Sequence, residues 1–87
     1  MAFMIETTTR GRFTVFALSG RIEKCAIDEL ARLFEFQTDR HGIVLDLKDV
    51  DLVDRSAICF FIGCETYGMK LENCTSCIRE WMEREQD

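Results

Sequence analysis

The hydrophobic pattern of this chain changes three times from a strand-like period to a helix-like one, and that alternation limits the folds open to it. Residues 4–9 and 13–19 read as two strands. Gly11, in the short connection Arg10-Gly11-Arg12, suits a hairpin between them. In the second strand Phe13, Val15 and Ala17 point one way, and Thr14, Phe16 and Leu18 point the other. Both sides are largely apolar, so this strand is expected inside a sheet rather than at its edge.

Gly20 ends that strand, and from Cys25 to Phe36 the period turns helical. Ile27, Leu30, Ala31 and Phe34 recur on one face, opposite Asp28, Glu29, Arg32 and Glu35. A polar loop is expected over 37–42. Ile43-Val44-Leu45-Asp46-Leu47 then reads as a buried strand, because it opens on β-branched residues just after a glycine. Another loop is expected over 48–54. The segment Ser56 to Tyr67 is nearly continuous in apolar residues from Ala57 to Cys64. Its length, and the Asp and Ser before it, favour a helix, which Gly68 closes. A short strand over 69–73 follows. The last element is a helix over 75–85 with Ile78, Trp81 and Met82 on one face. The order is β-β-α-β-α-β-α. Strand, crossover helix and strand in succession favour parallel pairing, so the fold class is α/β: a small mixed sheet with helices packed on it.

A chain of 87 residues reads as one domain, 1–87. At this size folding buries only about 60–65% of the unfolded surface, and a 47% hydrophobic composition can supply the compact core that this demands. The formal net charge of −5 argues against general binding to nucleic acid or to anionic membrane surfaces. Arg10 and Arg12 read as a solvated hairpin tip. No apolar run approaches the roughly 20 residues that span a bilayer. Residues 1–9 lack the basic start and apolar stretch of a secretory signal, so a soluble, cytoplasmic protein is expected.

In that compartment the five cysteines are expected to be reduced thiols, and an odd count excludes a complete intramolecular disulfide framework. Cys74-Thr75-Ser76-Cys77 is a CxxC motif at a helix start, where a thiol pKa falls, so redox or metal chemistry there is one reading. Zinc would need two further ligands, and only ten residues follow Cys77; buried or incidental thiols are the plainer reading. Cys59 and Cys64 are separated by a large angle around their helix. His41 is expected in a solvated loop. Asp46, Asp49, Asp51 and Asp54 are close in sequence and read as solvated loop charges rather than a cation site. The chain has no Gly-rich phosphate loop, no Ser/His/Asp set and no paired acid and base, so no enzyme and no cofactor are expected.

The stretch Ile43 to Ile58, with Asp54-Arg55-Ser56-Ala57 near its end, resembles the signature of STAS domains of the anti-sigma factor antagonist type. That family shows an apolar strand, an aspartate-containing turn, a hydrophobic pair, and then Asp-Ser-Ser-Gly opening a helix. Leu18-Ser19-Gly20-Arg21-Ile22 resembles the family's glycine between the second strand and the first helix, and the order of elements matches along nearly the whole chain. The resemblance implies a regulatory protein-binding module rather than an enzyme. It places the phosphorylated serine at Ser56 and implies a partner that is both anti-sigma factor and serine kinase. Asp51, Asp54, Arg55, Ser56, Ala57 and Ile58 are the expected partner-facing residues. Arg55 stands where the family has a serine, and Ala57 where it has a glycine. A STAS scaffold or sensor without the phosphorylation switch is the alternative. Monomer and homodimer are both compatible with the sequence.

Read without the family, Ser56 is a helix N-cap whose oxygen would accept from the N–H of Ile58 or Cys59, and Asp54 offers the same one step earlier. A residue there lies at the rim of the sheet. Phosphorylation adds about −1.5 to −2 charges, which a helix N-terminus tolerates and a partner interface beside Asp51 and Asp54 does not. An exposed Phe or Ile next to Ser56 is the expected anchor for a partner.

Overall fold

The computed structural model describes residues 2–37 and 40–86. Among these residues four strands and three α-helices follow in the order the periods predict: β1 (Phe3–Arg10), β2 (Phe13–Ile22), α1 (Lys24–Phe34), β3 (Ile43–Val53), α2 (Arg55–Thr66), β4 (Lys70–Glu72) and α3 (Ser76–Gln86). A 3-10 turn, Arg40–Gly42, precedes β3 and carries an exposed His41. The rest of the polar connection expected there, Thr38 and Asp39, lies outside the described residues.

The strands form one sheet in the order β1-β2-β3-β4. The hairpin pairs β1 with β2 antiparallel. β2 with β3 and β3 with β4 are parallel, each joined through a helix. The two-sided apolar strand β2 is therefore internal, as its composition requires.

All three helices share one core. Phe16 and Leu18 of β2 and Ile43, Leu45 and Leu47 of β3 pack with Ala26, Leu30 and Phe34 of α1, with Ala57, Ile58, Phe61 and Cys64 of α2, and with Ile78 and Met82 of α3. The buried side of α1 is thus Ala26, Leu30 and Phe34, whereas Ala31, expected inside, is exposed. The helix also stops at Phe34 rather than Phe36, whose ring is left in solvent. Gly68 closes α2 just beyond its last turn, as expected: the residue adopts φ +94°, and the N–H of Met69 returns to the carbonyl of Cys64 at 3.0 Å.

Among the described residues no helix covers the opposite face of the sheet. Its central pair, Val15 and Val44, is nevertheless buried. On the same face the Arg10 guanidinium makes a two-pronged contact with Glu72, at 3.0 and 3.1 Å. That pair joins the two outer strands across the sheet. Arg10 is therefore not a free hairpin charge; Arg12, its neighbour across the turn, lies over the Phe13 ring.

The largest departure from expectation is β3. The sequence predicts a loop over 48–54, but the strand continues to Val53. The pairing with β2 slips by one residue twice, between Ala17 and Ser19 and between Gly20 and Arg21, with the extra residue on β3 each time. Such bulges bend a strand and interrupt its two-residue period, which is why the pattern reads as irregular. The carboxylates Asp46 to Asp54 are consequently strung along an extended chain. At about 3.3 Å per residue its ends lie on the order of 25 Å apart.

Candidate functional site

Parallel β2 and β3 end on the same side of the sheet, and each leads into a helix, so the N-termini of α1 and α2 lie at one rim. In open α/β sheets this is where ligands and partners are met. A cleft of about 530 Å³ opens there, lined among others by Phe3, Arg21, Lys24, Cys25 and Asp54.

Asp54 sits in extended conformation (φ −111°, ψ 179°) and its carboxylate accepts from the N–H of Ala57 at 2.9 Å. It is the N-cap of α2. The first intrahelical bond runs from Ile58 N–H to the Asp54 carbonyl at 3.1 Å. Ser56 therefore does not cap; it lies in the first turn, exposed, and no hydrogen bond among the described residues involves its hydroxyl. Two cap-type residues precede the same apolar run. The backbone at Asp54 decides between them, and the sequence alone does not show that.

Arg55, the first helical residue, reaches 30 positions along the chain. Its Nε donates to Oε1 of Glu85 at 3.0 Å. The other oxygen of Glu85 accepts from the indole N–H of Trp81 at 3.3 Å. The start of α2 is thereby tied to the end of α3. Trp81 and Ile78 face Val50, Asp51, Leu52 and Val53 across a groove of about 410 Å³.

Of the residues expected at the partner face, Asp51, Arg55 and Ser56 are exposed and Asp54 is half-buried. Ala57 and Ile58 are completely buried, so their side chains belong to the core. No Phe or Ile is exposed next to Ser56; its exposed neighbours on α2 are Arg55 and Cys59, and the large apolar side chain left open at this end is Leu52. The sequence shows Leu52 only as part of a predicted loop, because the strand period is interrupted there.

The remaining candidates lie elsewhere. Asp46 accepts from the side-chain amide of Asn73 at 2.8 Å and from the N–H of Lys48 at 3.0 Å. The Asn73 bond, with help from Lys48 and Arg10, holds this carboxyl below its ordinary range against the opposing effect of burial. Among the described residues no three His, Cys, Asp or Glu side chains are grouped to hold a metal. None of the five cysteines is in a disulfide. Cys74 precedes α3, partly buried, and desolvation raises its pKa, with only partial opposition from Arg79. That is the reverse of what a reactive CxxC thiolate needs. The cap of α3 is the hydroxyl of Thr75, accepting from Ile78 N–H at 3.3 Å. Among the described residues no helix is long and apolar enough to cross a membrane.

The fold is shared with solved structures. An unphosphorylated anti-sigma factor antagonist, SpoIIAA, superposes with a TM-score of 0.70 at 18% identity, over 94% of this chain and 82% of that one. The chain has the STAS fold. The phosphorylated form of the Bacillus cell fate determinant SpoIIAA matches with a TM-score of 0.69 at 16% identity, over 97% of this chain and 83% of that one. A STAS-domain anti-sigma factor antagonist from Rhodobacter sphaeroides matches with a TM-score of 0.61 at 12% identity, over 83% of this chain and 87% of that one. No protein-family model matches the sequence, and no curated protein matches it. The likeness is one of fold, with the same order of elements.

Proposed function

We propose that this chain is a regulatory protein-binding module of the anti-sigma factor antagonist type, switched by phosphorylation of Ser56. The supporting observation is the division of labour at the start of α2. Asp54 does the capping, which leaves the Ser56 hydroxyl exposed and uncommitted at the strand-end rim. The helix then does not depend on that hydroxyl, so modifying it changes the surface without melting the element beneath. The N–H groups of Arg55 and Ser56 lie in the first turn, where a helix N-terminus accommodates a phosphate. The partner is a protein that is both anti-sigma factor and serine kinase. It meets the rim at Asp51, Asp54, Arg55 and Ser56, with Leu52 as the apolar contact. Desolvating a phosphate beside Asp51 and Asp54 is what weakens the complex. A cytoplasmic location follows from such a partner.

The test is incubation with a cognate anti-sigma serine kinase and Mg-ATP, followed by peptide mass spectrometry. Phosphate on Ser56, and loss of kinase binding by the phosphorylated protein, is the expected result. Phosphate on another residue, or none, removes the switch.

A second reading keeps the partner surface and drops phosphorylation. It is favoured by Arg55, a long cation in the place of the family's small hydroxyl residue, already engaged by Glu85. Under it Ser56→Asp and Ser56→Ala bind the partner equally well.

A further inference from the structure

β4 covers β3 only from Val44 to Asp46, while β3 itself runs on to Val53. Residues 47–53 therefore pair with β2 on one side and, among the described residues, with no strand on the other. α3 does not close this edge: the groove of about 410 Å³ separates it from Val50 to Val53. One side of the groove is Val50 to Val53 of the strand, and the other is Thr75, Cys77, Ile78 and Trp81. Val50 and Val53 pack against the core, whereas Asp49, Asp51 and Leu52 are exposed.

We infer that this groove takes an extended peptide segment of a partner protein, added as a fifth strand beside 47–53, with apolar and basic side chains in alternation. Strand addition fits because an open edge offers main-chain donors and acceptors in a row. Side chains of an added strand alternate between the two faces of the sheet, so every second one meets Ile78 and Trp81. The basic residues answer the charge of the rim. Asp49 and Asp51 make no ion pair among the described residues, Glu85 accepts from the Trp81 indole, and Arg55 is held by Glu85. Charged residues and bulges on an edge suppress indiscriminate pairing; here they leave the edge open to a strand of opposite charge. The inference stands apart from phosphorylation of Ser56, since none of these groups depends on it.

The probe is a blocked synthetic peptide of alternating valine and lysine, with the same peptide carrying glutamate for lysine as its counterpart. Trp81 is the chain's single tryptophan, so its emission reports the groove directly. The lysine peptide is expected to shift that emission and to slow hydrogen exchange at the amides of 47–53. Its affinity should fall roughly tenfold between low and half-molar salt. The glutamate peptide should do neither. Asp49→Lys combined with Asp51→Lys, both at exposed positions, should exchange the preference between the two peptides. Equal response to both peptides overturns the inference, as does protection outside 47–53 or no response up to about 1 mM peptide. Concentration-dependent protection of 47–53 with no peptide present also overturns it, since the occupant is then a second copy of this chain. The exchange measurement uses the unmodified protein, so a variant that fails to fold leaves the result readable. Loss of binding to an anti-sigma kinase, with the peptide response intact, counts against the proposed function alone.

Discussion

The Nε of Arg55 and Oε1 of Glu85 lie 3.0 Å apart and join the first residue of α2 to the end of α3. The arginine side chain is 76% exposed and the glutamate 23%, so solvent screens much of the attraction. A double-mutant cycle on Arg55→Ala and Glu85→Gln is expected to give a coupling within about 0.2–1 kcal/mol at low salt, shrinking as salt is added. Urea unfolding followed by Trp81 emission measures it. The indole donates to the same carboxylate, so Glu85→Gln should also move the native emission. Zero coupling at low salt means that the two helix ends are not tied.

Asp54 and Ser56 are two residues apart but carry different loads. Asp54→Ala removes the acceptor for the Ala57 N–H and is expected to cost about 0.5–2 kcal/mol. Ser56→Ala removes an exposed hydroxyl without a protein partner and should stay within about ±0.5 kcal/mol. Chemical denaturation of the two variants decides the matter. Equal losses would mean that the serine shares the capping.

Acid should unfold the protein partly through the helix-free face of the sheet. Glu72 is held below its ordinary range, first by its hydrogen bonds from Arg10, and Asp46 is held low, first by Asn73. A carboxyl with a depressed folded-state pKa binds its proton more readily in the unfolded chain. Its contribution is therefore present above the ordinary carboxylate pKa of about 4 and disappears as pH falls through that value and then the lower folded one. The urea midpoint should be level above about pH 5 and decline below it. In Glu72→Gln the decline should be shallower, because one of the two low carboxyls is gone. An unchanged slope would show that the Arg10 contact is not maintained in solution.

The order of elements was legible because each has its own hydrophobic period and each period is long enough to count. β3 beyond Leu47 was not, because two extra residues break the alternation of Lys48-Asp49-Val50-Asp51-Leu52-Val53 just where the strand bends. On α1 the period places Leu30 and Phe34 correctly on the inward face but includes the exposed Ala31 and omits Ala26. Ile27 dominates a hydrophobic pattern in which Ala26 counts for little, yet it is Ala26 whose small side chain lies fully buried. The position of Ser56 at a helix start was readable from Asp54 and the apolar run behind it. Its freedom from capping was not, since that depends on the extended backbone at Asp54. The link from Arg55 through Glu85 to Trp81 had no signal at all: the residues are distant in sequence, and an ion pair between surface helices leaves no periodic trace.

Two glycines five residues apart should respond to alanine with opposite sign. Gly68 adopts φ +94°, and a Cβ there runs into the imidazole of His41. Alanine must distort either the helix end or the turn Arg40–Gly42, so a loss of more than about 1 kcal/mol is expected. Gly63 lies inside α2, and a Cβ there meets no atom within 4 Å. Its cost is that of glycine in a helix, so Gly63→Ala should gain up to about 1 kcal/mol. For a domain of this size each kcal/mol moves the melting temperature by roughly 4–8 °C, which differential scanning calorimetry resolves easily. A loss at Gly63 would mean that the space beside α2, between Phe34, Phe60 and Tyr67, is closed in solution.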